Sequence, residues 1–314
     1  MFFEMAAGTR SVFCIGESVL DIIFQDNLPI AAKPGGSMLN SAISLGRAGI
    51  PVGFISDFGE DHAGDLIHSF LLQNSVSTEY ISRYSNGKTA LSLAFLDHQQ
   101  NADYSFYKIF PEERLSQQLP VLQPGDIVLF GSFYALTGPI RIKLMEFVRM
   151  AKSNGAFILY DPNFRTAHLG ELNTLMPWII ENIGMADLVR GSDEDFRNIF
   201  GVSDATRAFN HVNAAGCPIL IYTKNSQCVE MIGNGHSHSY QVPGIQVVST
   251  IGAGDAFNAG IIYALLKSKG NEKGIPESLW ESMITHGIRF SADVCRSIDN
   301  YISVDLGNIL QIAI

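Results

Sequence analysis

No run in this 314-residue sequence approaches the ~18 uninterrupted apolar residues that a membrane-crossing helix needs, and its start has no basic flank leading into an apolar secretory core. Neither a membrane span nor an export signal is expected. Basic residues are in short supply: 21 Lys and Arg face 31 Asp and Glu, for a formal charge of -10 at pH 7. Nucleic acid is not an expected partner, because phosphate backbones are held by clustered cations. Cysteine is sparse as well. Cys14, Cys217, Cys228 and Cys295 make no C-x-x-C pair, which suggests neither a zinc site nor a disulfide framework and fits a reducing, cytoplasmic setting. Cys14 and Cys217 adjoin apolar runs and read as buried small hydrophobes. Also missing is a linker: no Pro-, Ser- or Gly-rich run, charge block or internal repeat divides the chain, so residues 1–314 read as a single domain. Apolar material, by contrast, is ample, with 46% of residues hydrophobic and 17% charged, enough for a packed core. The 29 glycines serve either loose linkers or loops where backbone approaches a ligand, and their positions decide between the two.

Apolar periodicity alternates between strand and helix. Val12 to Ile15 and Val19 to Phe24 are strand-length runs. From Ser37, the residues Met38, Leu39, Ala42, Ile43 and Leu45 recur at helical spacing, with Ser37 placed to cap the start and Gly49 the end. Val52 to Ile55 reads as a strand, and Asp61 to Gln73 as a helix with Leu66, Ile67, Phe70 and Leu71 inward. Ile127 to Phe130, Phe157 to Tyr160, Ala186 to Val189 and Ile219 to Tyr222 are near-continuous apolar runs after helical stretches, as parallel strands buried on both faces should be. The pattern predicts an α/β fold with an open, doubly wound, mostly parallel sheet and helices on both faces. Thr89 to Leu96 and Tyr104 to Ile109 break the rhythm as a hairpin around the polar residues 97–103. With Val19 to Phe24 they predict a small β-sheet lid, drawn from about residues 17–32 and 87–110, closing over the carboxyl ends of the main strands. An edge hairpin without a role is the plain alternative.

The most informative stretch is Val248-Ser249-Thr250-Ile251-Gly252-Ala253-Gly254-Asp255-Ala256-Phe257, a loop running into an amphipathic helix. Gly252 and Gly254 leave backbone bare, so successive N–H groups can converge on an anion at the positive end of the helix. Asp255 in the first turn is placed to accept the proton of a hydroxyl that attacks a phosphoryl group held there. An acid that merely caps a helix after a glycine turn would look the same in isolation.

This stretch resembles the second signature of the ribokinase-like (PfkB-type) carbohydrate kinases, D-T-x-G-A-G-D-x-F, with Ser249 in place of the first Asp. The first signature has its counterpart in Gly35-Gly36-Ser37-Met38-Leu39-Asn40, continued by Ala42, Leu45, Gly46 and Gly49 and then by residues 58–64. Gly16-Glu17 with Asp21, and Asp161-Pro162-Asn163-Phe164-Arg165 at the end of a strand, extend the likeness from about residue 12 to about 300. The resemblance implies ATP-dependent transfer of the γ-phosphoryl group to a hydroxyl of a small sugar, with Asp255 as base and Gly252, Ala253 and Gly254 as anion hole. The G-E-x-x-x-D opening together with D-P-N-x-R looks most like fructokinases and 2-keto-3-deoxygluconate kinases. Fructose is the first expectation, and the keto sugar acid or ribose the alternatives. A homodimer paired through the lid is also implied.

Residue by residue, the resemblance assigns Asp21, Gly35, Gly36, Asn40, Lys108 and Arg165, with Asp255, to the sugar. A carboxylate accepts from adjacent hydroxyls, bare glycine backbone admits a ring, and the Asn40 amide both donates and accepts. Taken singly, a turn acid, a glycine turn, a solvated amide, a solvated lysine and a surface ion pair explain them equally well. To the nucleotide it assigns Asn163, Ser192, Thr223, Asn225, Gly252 and Gly254. Magnesium is expected with the ATP. The family's N-x-x-E reads Ser192-Asp193-Glu194-Asp195 here, which makes Asp195 the first ligand through water and Glu194 its rival; an acid-rich helix start is the plain reading. Two further departures stand out. Ser249 replaces the Asp that in many relatives helps hold a potassium ion, which puts K+ activation in doubt. Residues 223–228 lack both glycines of the usual nucleotide loop, although Asn225 can supply the positive φ. The alternative of another class is a non-catalytic sugar or nucleotide sensor on the same fold, against which the retained Asp255 speaks. A dinucleotide oxidoreductase is excluded because no G-x-G-x-x-G opens the first strand–helix unit. Asp57-Phe58-Gly59 spells a protein-kinase motif without its companions. His236 and His238 share one face of a strand after the Asn234-Gly235 turn, but with no third ligand near in sequence they read as polar hairpin residues.

Overall fold

The computed structural model describes residues 10–96, 102–268 and 275–312. In β1 (Val12–Ile15), Val12 and Cys14 enter one apolar core while Phe13 and Ile15 enter another on the opposite face. Period-two burial on both faces is what a parallel sheet sandwiched by helices demands. β1 pairs in parallel with β4 (Val52–Gly59) on one side and β9 (Ile127–Gly131) on the other. Beyond β9 follow β10 (Phe157–Asp161), β11 (Leu188–Ser192) and β12 (Ile219–Lys224), all parallel, then β13 (Cys228–Gly233) and the edge strand β14 (His236–Gln241), both antiparallel to their neighbours. The short β5 (Val76–Ser77) and β6 (Ile81–Tyr84) close the far side against β4. Because the chain first winds outward from β1 to β4 and then returns to β9, the strand order reverses at β1. A crevice opens there beyond the carboxyl ends of the strands.

One face of the sheet carries α1 (Ser37–Arg47), α2 (His62–Gln73), α7 (Ala253–Lys267), α8 (Glu277–Val294) and α9 (Val304–Ile312). The other carries α3 (Gly138–Ser153), α4 (Leu172–Met185), α5 (Asp193–Phe200) and α6 (Ala205–Ala214). A second sheet lies outside this sandwich, in the order β3 (Leu28–Gly35), β2 (Val19–Gln25), β7 (Lys88–Leu96), β8 (Ala102–Ile109). β2 and β3 form a hairpin whose two turn residues, Asp26 and Asn27, have φ of 52° and 63°, matching the right-handed twist of the strands they join. The connection from β7 to β8, part of the expected polar turn, falls outside the described residues. The lid exposes the apolar side chains of Leu28, Ile30, Tyr107 and Ile109.

The doubly wound sheet and its lid are as the residue pattern predicts. Three local readings differ. Leu66 is 55% exposed and points away from the core, leaving Ile67 and Leu71 as the buried stripe of α2. The strand expected at Ala186 begins at Leu188 and runs to Ser192. The Ala186 N–H still bonds back to the Ile183 carbonyl as the cap of α4, and the sheet takes in Arg190 instead. β5, β6 and β13 were not foreseen; the first two are too short to show a period.

α7 is buried on most sides and presses on α8 at backbone distance. A Cβ on Gly260 would lie 2.4 Å from the His286 carbonyl oxygen, and one on Gly287 would lie 2.8 Å from the Phe257 ring. Gly260→Ala must push the helices apart, and overpacking of this kind is expected to lower the unfolding free energy by about 1–3 kcal/mol. A lower urea midpoint with an unchanged slope is the measurement that checks it.

Candidate active site

The loop after Val248 turns into α7 through Gly252. Its left-handed backbone (φ 80°) and the Asn300 carbonyl, 2.3 Å from where a Cβ would sit, leave room for no side chain. The Ala253 N–H closes a turn onto the Thr250 carbonyl at 3.2 Å, whereas among the described residues no acceptor is found for the N–H groups of Gly254 and Asp255. These two donors lie at the positive end of a 15-residue helix, an arrangement that favours an anion. The loop is braced from α8: Ser291 Oγ donates to the Ala253 carbonyl at 2.6 Å, and the Val248 N–H donates to the Cys295 carbonyl at 2.8 Å.

Asp255 is clamped by the first turn of α1. Ser37 Oγ donates to its Oδ1 at 2.7 Å, Asn40 Nδ2 to its Oδ2 at 2.8 Å, and Ser41 Oγ to its main-chain carbonyl at 2.8 Å. Ser37 therefore does not cap α1 as its position suggests. Gly36 occupies the N-cap without a side-chain bond, and the Ser37 hydroxyl, already inside the helix, takes the charged acceptor instead. Burial raises the Asp255 pKa above the ordinary carboxylate value, and the Asn40 and Ser37 bonds, with the positive charges of Arg165 and Arg190, pull it back down. Asn40 Oδ1 is buried without a partner among the described residues, an acceptor in want of a donor.

Asp21 stands on β2 of the lid, and the two glycines at the end of β3 make space beside it. A Cβ on Gly35 would lie 2.1 Å from Asp21 Oδ2, and one on Gly36 (φ 129°) would lie 2.2 Å from the Glu17 carbonyl. Burial pushes the Asp21 carboxyl up to about 6, against the lowering effect of the Ser92 hydroxyl beside it. Lys108 on β8 reaches Glu17 at 2.7 Å, so it ties the lid to the loop after β1. Lys33 on β3 does the same with Asp299 at 2.8 Å.

Beneath the helix start lies a buried polar network that the sequence did not suggest. Asp161 Oδ2 accepts from Asn258 Nδ2 at 2.6 Å and from Arg190 Nη1 at 3.1 Å, while Arg190 Nη2 donates to Thr223 Oγ1 at 2.9 Å. The guanidinium lies against Gly254, where a Cβ would come within 2.8 Å of Nη1. Thr223 is thereby turned inward. The signal that could have revealed Arg190 is its place at the end of an otherwise apolar buried strand, where a cation needs a fixed partner. Asp57, of the coincidental D-F-G, is likewise spent: it accepts both Arg114 nitrogens at 2.6 and 2.8 Å and the Tyr134 hydroxyl at 3.0 Å.

The remaining expected residues line the same end of the sheet. Asn163 (φ 39°) bonds its N–H to Asp161 Oδ1, and Asn225 does adopt positive φ, at 46°, in the turn from β12 to β13. Arg165 is exposed and has no ion-pair partner among the described residues. A polar cavity of about 300 Å³ is lined by Thr166, Ser192, Asp193, Glu194, Arg197, Asn198 and Asn225. Asp195 is buried with both oxygens engaged, one by the Phe164 N–H and the other by the Ser192 N–H and hydroxyl in a reciprocal capping box. Burial and the nearby Asp161 charge raise its pKa. Glu194 faces the cavity, bonded among the described residues only to the Thr166 hydroxyl at 3.2 Å.

An anion-receptive helix start, a clamped acid beside it and a lid above a strand-order reversal define a phosphoryl-transfer fold. Residues 9–279 match the pfkB family carbohydrate kinases, and the chain belongs to that family. It is 24% identical over 258 residues to the fructokinase of Vibrio alginolyticus, covering 82% of this chain and 84% of that protein. Among solved structures it is similar to aminoimidazole riboside kinase from Salmonella enterica, complexed with aminoimidazole riboside and an ATP analog. That likeness has a TM-score of 0.82 at 20% identity and covers 96% of this chain and all of that one. Fructokinase from Vibrio cholerae O395 in its fructose, ADP and calcium ion bound form gives 0.83 at 18% identity, covering 96% and 99%.

Removing one member of the Asp161–Arg190 pair leaves a buried charge unpaired. Arg190→Met is expected to lower stability by about 3–5 kcal/mol, and adding Asp161→Asn to recover a large part of the loss. Chemical denaturation of the two single variants and the double variant checks this.

Proposed function

We propose that this carbohydrate kinase transfers the γ-phosphoryl group of ATP to a hydroxyl of a fructose-like sugar, with Asp255 as general base. The observation that carries the reading is the clamp on Asp255 at the mouth of the crevice. Two neutral donors fix the carboxylate without neutralising it, and each of its oxygens keeps a lone pair for an incoming hydroxyl. The hydroxyl oxygen forms a bond to the γ-phosphorus, the bond to the bridging oxygen of ADP breaks, and the hydroxyl proton passes to Asp255. The Gly254 and Asp255 N–H groups offer donors where charge develops on the phosphoryl oxygens. Asn40 Oδ1 supplies an acceptor for a second sugar hydroxyl and Asp21 another from the lid. Exposed Arg165 is placed to meet the phosphates, and Asn225 and Ser192 border the nucleotide. Glu194, with Asp193 and Ser192 beside it, offers the hard oxygens that suit magnesium held through water, and it is preferred to Asp195, whose oxygens are already engaged. Magnesium supplies charge compensation on the phosphates when bound. Ser249 presents a hydroxyl that accepts the Ile251 N–H, which argues against a strong monovalent-cation site. The exposed apolar side chains of the lid support pairing with a second copy, and four free cysteines suit a reducing compartment. No helix among the described residues is long and apolar enough to cross a membrane.

ADP release measured with fructose, ribose, aminoimidazole riboside and 2-keto-3-deoxygluconate tests the assignment. Turnover with fructose is expected to be fastest, and Asp255→Asn to lower kcat by about 10²–10⁴-fold. Sugar binding with no turnover, unchanged by Asp255→Asn, would mean a sensor instead. The Asp21 carboxyl, pushed up to about 6, loses its charge as pH falls through that value. The KM for the sugar is therefore expected to rise below pH 6 in the wild type and to be high and flat across pH 5–8 in Asp21→Asn.

A further inference from the structure

The pairing of His236 and His238 lacks a third ligand only along the chain. In the fold, the first turn of α8 brings Glu277 to them from 41 and 39 residues away. Its Oε2 lies 3.2 Å from His236 Nδ1 and its Oε1 lies 2.5 Å from His238 Nε2. The three ligand atoms lie within 4.8 Å of one another. Both imidazoles stand on one face of β14, as residues i and i+2 of a strand must, and both meet the buried Trp280 ring edge-on, at 6.5 and 5.7 Å between centroids. Trp280, one turn further along α8 than Glu277, thus fixes the floor on which the rings rest. A shallow cavity of about 440 Å³ opens beside them, and Glu281, a helical turn beyond Glu277, lines it with a second carboxylate.

We propose that His236, His238 and Glu277 form a site for a divalent transition metal of the zinc class. Two imidazoles and a carboxylate are the donor set such ions prefer, and one that magnesium and calcium, which seek all-oxygen shells, do not. A tetrahedral ion with ligand bonds near 2 Å holds its ligand atoms roughly 3.3 Å apart, which small side-chain adjustments reach from atoms that already lie within 4.8 Å of one another, and water completes the shell from the open side.

The site is remote from the phosphoryl-transfer chemistry. His236 pairs with Gly233, which pairs with Ile219 at the amino-terminal end of β12, whereas the crevice lies beyond the carboxyl ends. It is nevertheless joined to the crevice by one element. α8 begins at Glu277 and, 18 residues long, ends in the turn that braces the Ala253 loop through Ser291. A bound ion clips the start of that helix to the edge strand of the sheet and thereby stabilises the fold.

Titration of the full chain with Co2+, followed by visible absorption and by displacement with Zn2+, tests the site. One equivalent is expected to bind with the intense band of a low-coordinate cobalt centre, and Zn2+ at about a hundred times its dissociation constant to raise the unfolding midpoint by roughly 4 °C. His236→Ala/His238→Ala is expected to lose the band and the Zn2+-dependent shift, while its metal-free midpoint and its kinase turnover match the wild type. Glu277→Gln, which keeps both imidazoles, is expected to bind at least about tenfold more weakly. Should the double alanine variant fold poorly, His238→Gln serves in its place with the same expected loss of the band. Equal binding by wild type and histidine variants, or no binding by the wild type at millimolar Co2+, overturns the proposal and leaves a hydrogen-bonded surface trio.

Discussion

A carboxylate buried yet held by neutral groups is the constraint around which this molecule is arranged. Asp255 could be stabilised most simply by a lysine or arginine in contact, but a direct cation would drop its pKa and lower its affinity for a proton. Ser37 and Asn40 instead fix its orientation with hydrogen bonds, while the positive charges that influence it, Arg165 and Arg190, make no direct bond to it. The arrangement requires the first turn of α1 to abut the first turn of α7. That in turn requires a chain reversal at β1, so that both helices lie on the same face of the sheet with their amino ends at the same crevice.

The network under the crevice meets a second requirement, that the start of α7 be held rigidly to the sheet. Asp161 at the end of β10, Arg190 on β11 and Thr223 on β12 link three adjacent strands, and Asn258 joins them to α7. A buried ion pair gives little net stability over an apolar core, but its geometry is directional in a way that apolar packing is not. Here it fixes the height and rotation of the helix whose exposed N–H groups face the crevice.

Much of this was legible in the sequence, for identifiable reasons. Buried parallel strands are continuous apolar runs, and helices have their own period, so the doubly wound sheet could be read without a template. The glycines at 35, 36, 252 and 254 marked where backbone comes close to something, and each proves to sit against a group that a Cβ would strike. What escaped were relations between distant positions. Ser37 reads as a helix cap until the helix at 253 is placed beside it. Arg190 lies in what looked like the edge of an apolar run, because the strand starts two residues later than the hydrophobicity does. Asp195 matches a motif position by spacing, and its capping box with Ser192 is local, but the bond that takes its other oxygen comes from the Phe164 N–H, 31 residues away. His236 and His238 were visible as a pair, and the carboxylate that meets them lies on another element altogether.

β3 ends at Gly35, and after Gly36 the chain is already α1, so the lid and the group that grips Asp255 are separated by a single residue. A tilt of the lid sheet cannot be absorbed by slack in a connecting loop. It is transmitted to Ser37 as a rotation about the Gly36 backbone, whose φ of 129° is available to glycine and to few other residues. The ion pairs that tether the lid, Lys33 to Asp299 and Lys108 to Glu17, are partly exposed, and pairs of that kind contribute about 1 kcal/mol or less each. The lid is therefore a short lever on a weak latch, and its angle and the orientation of the Asp255 carboxylate behave as one mechanical coordinate rather than two.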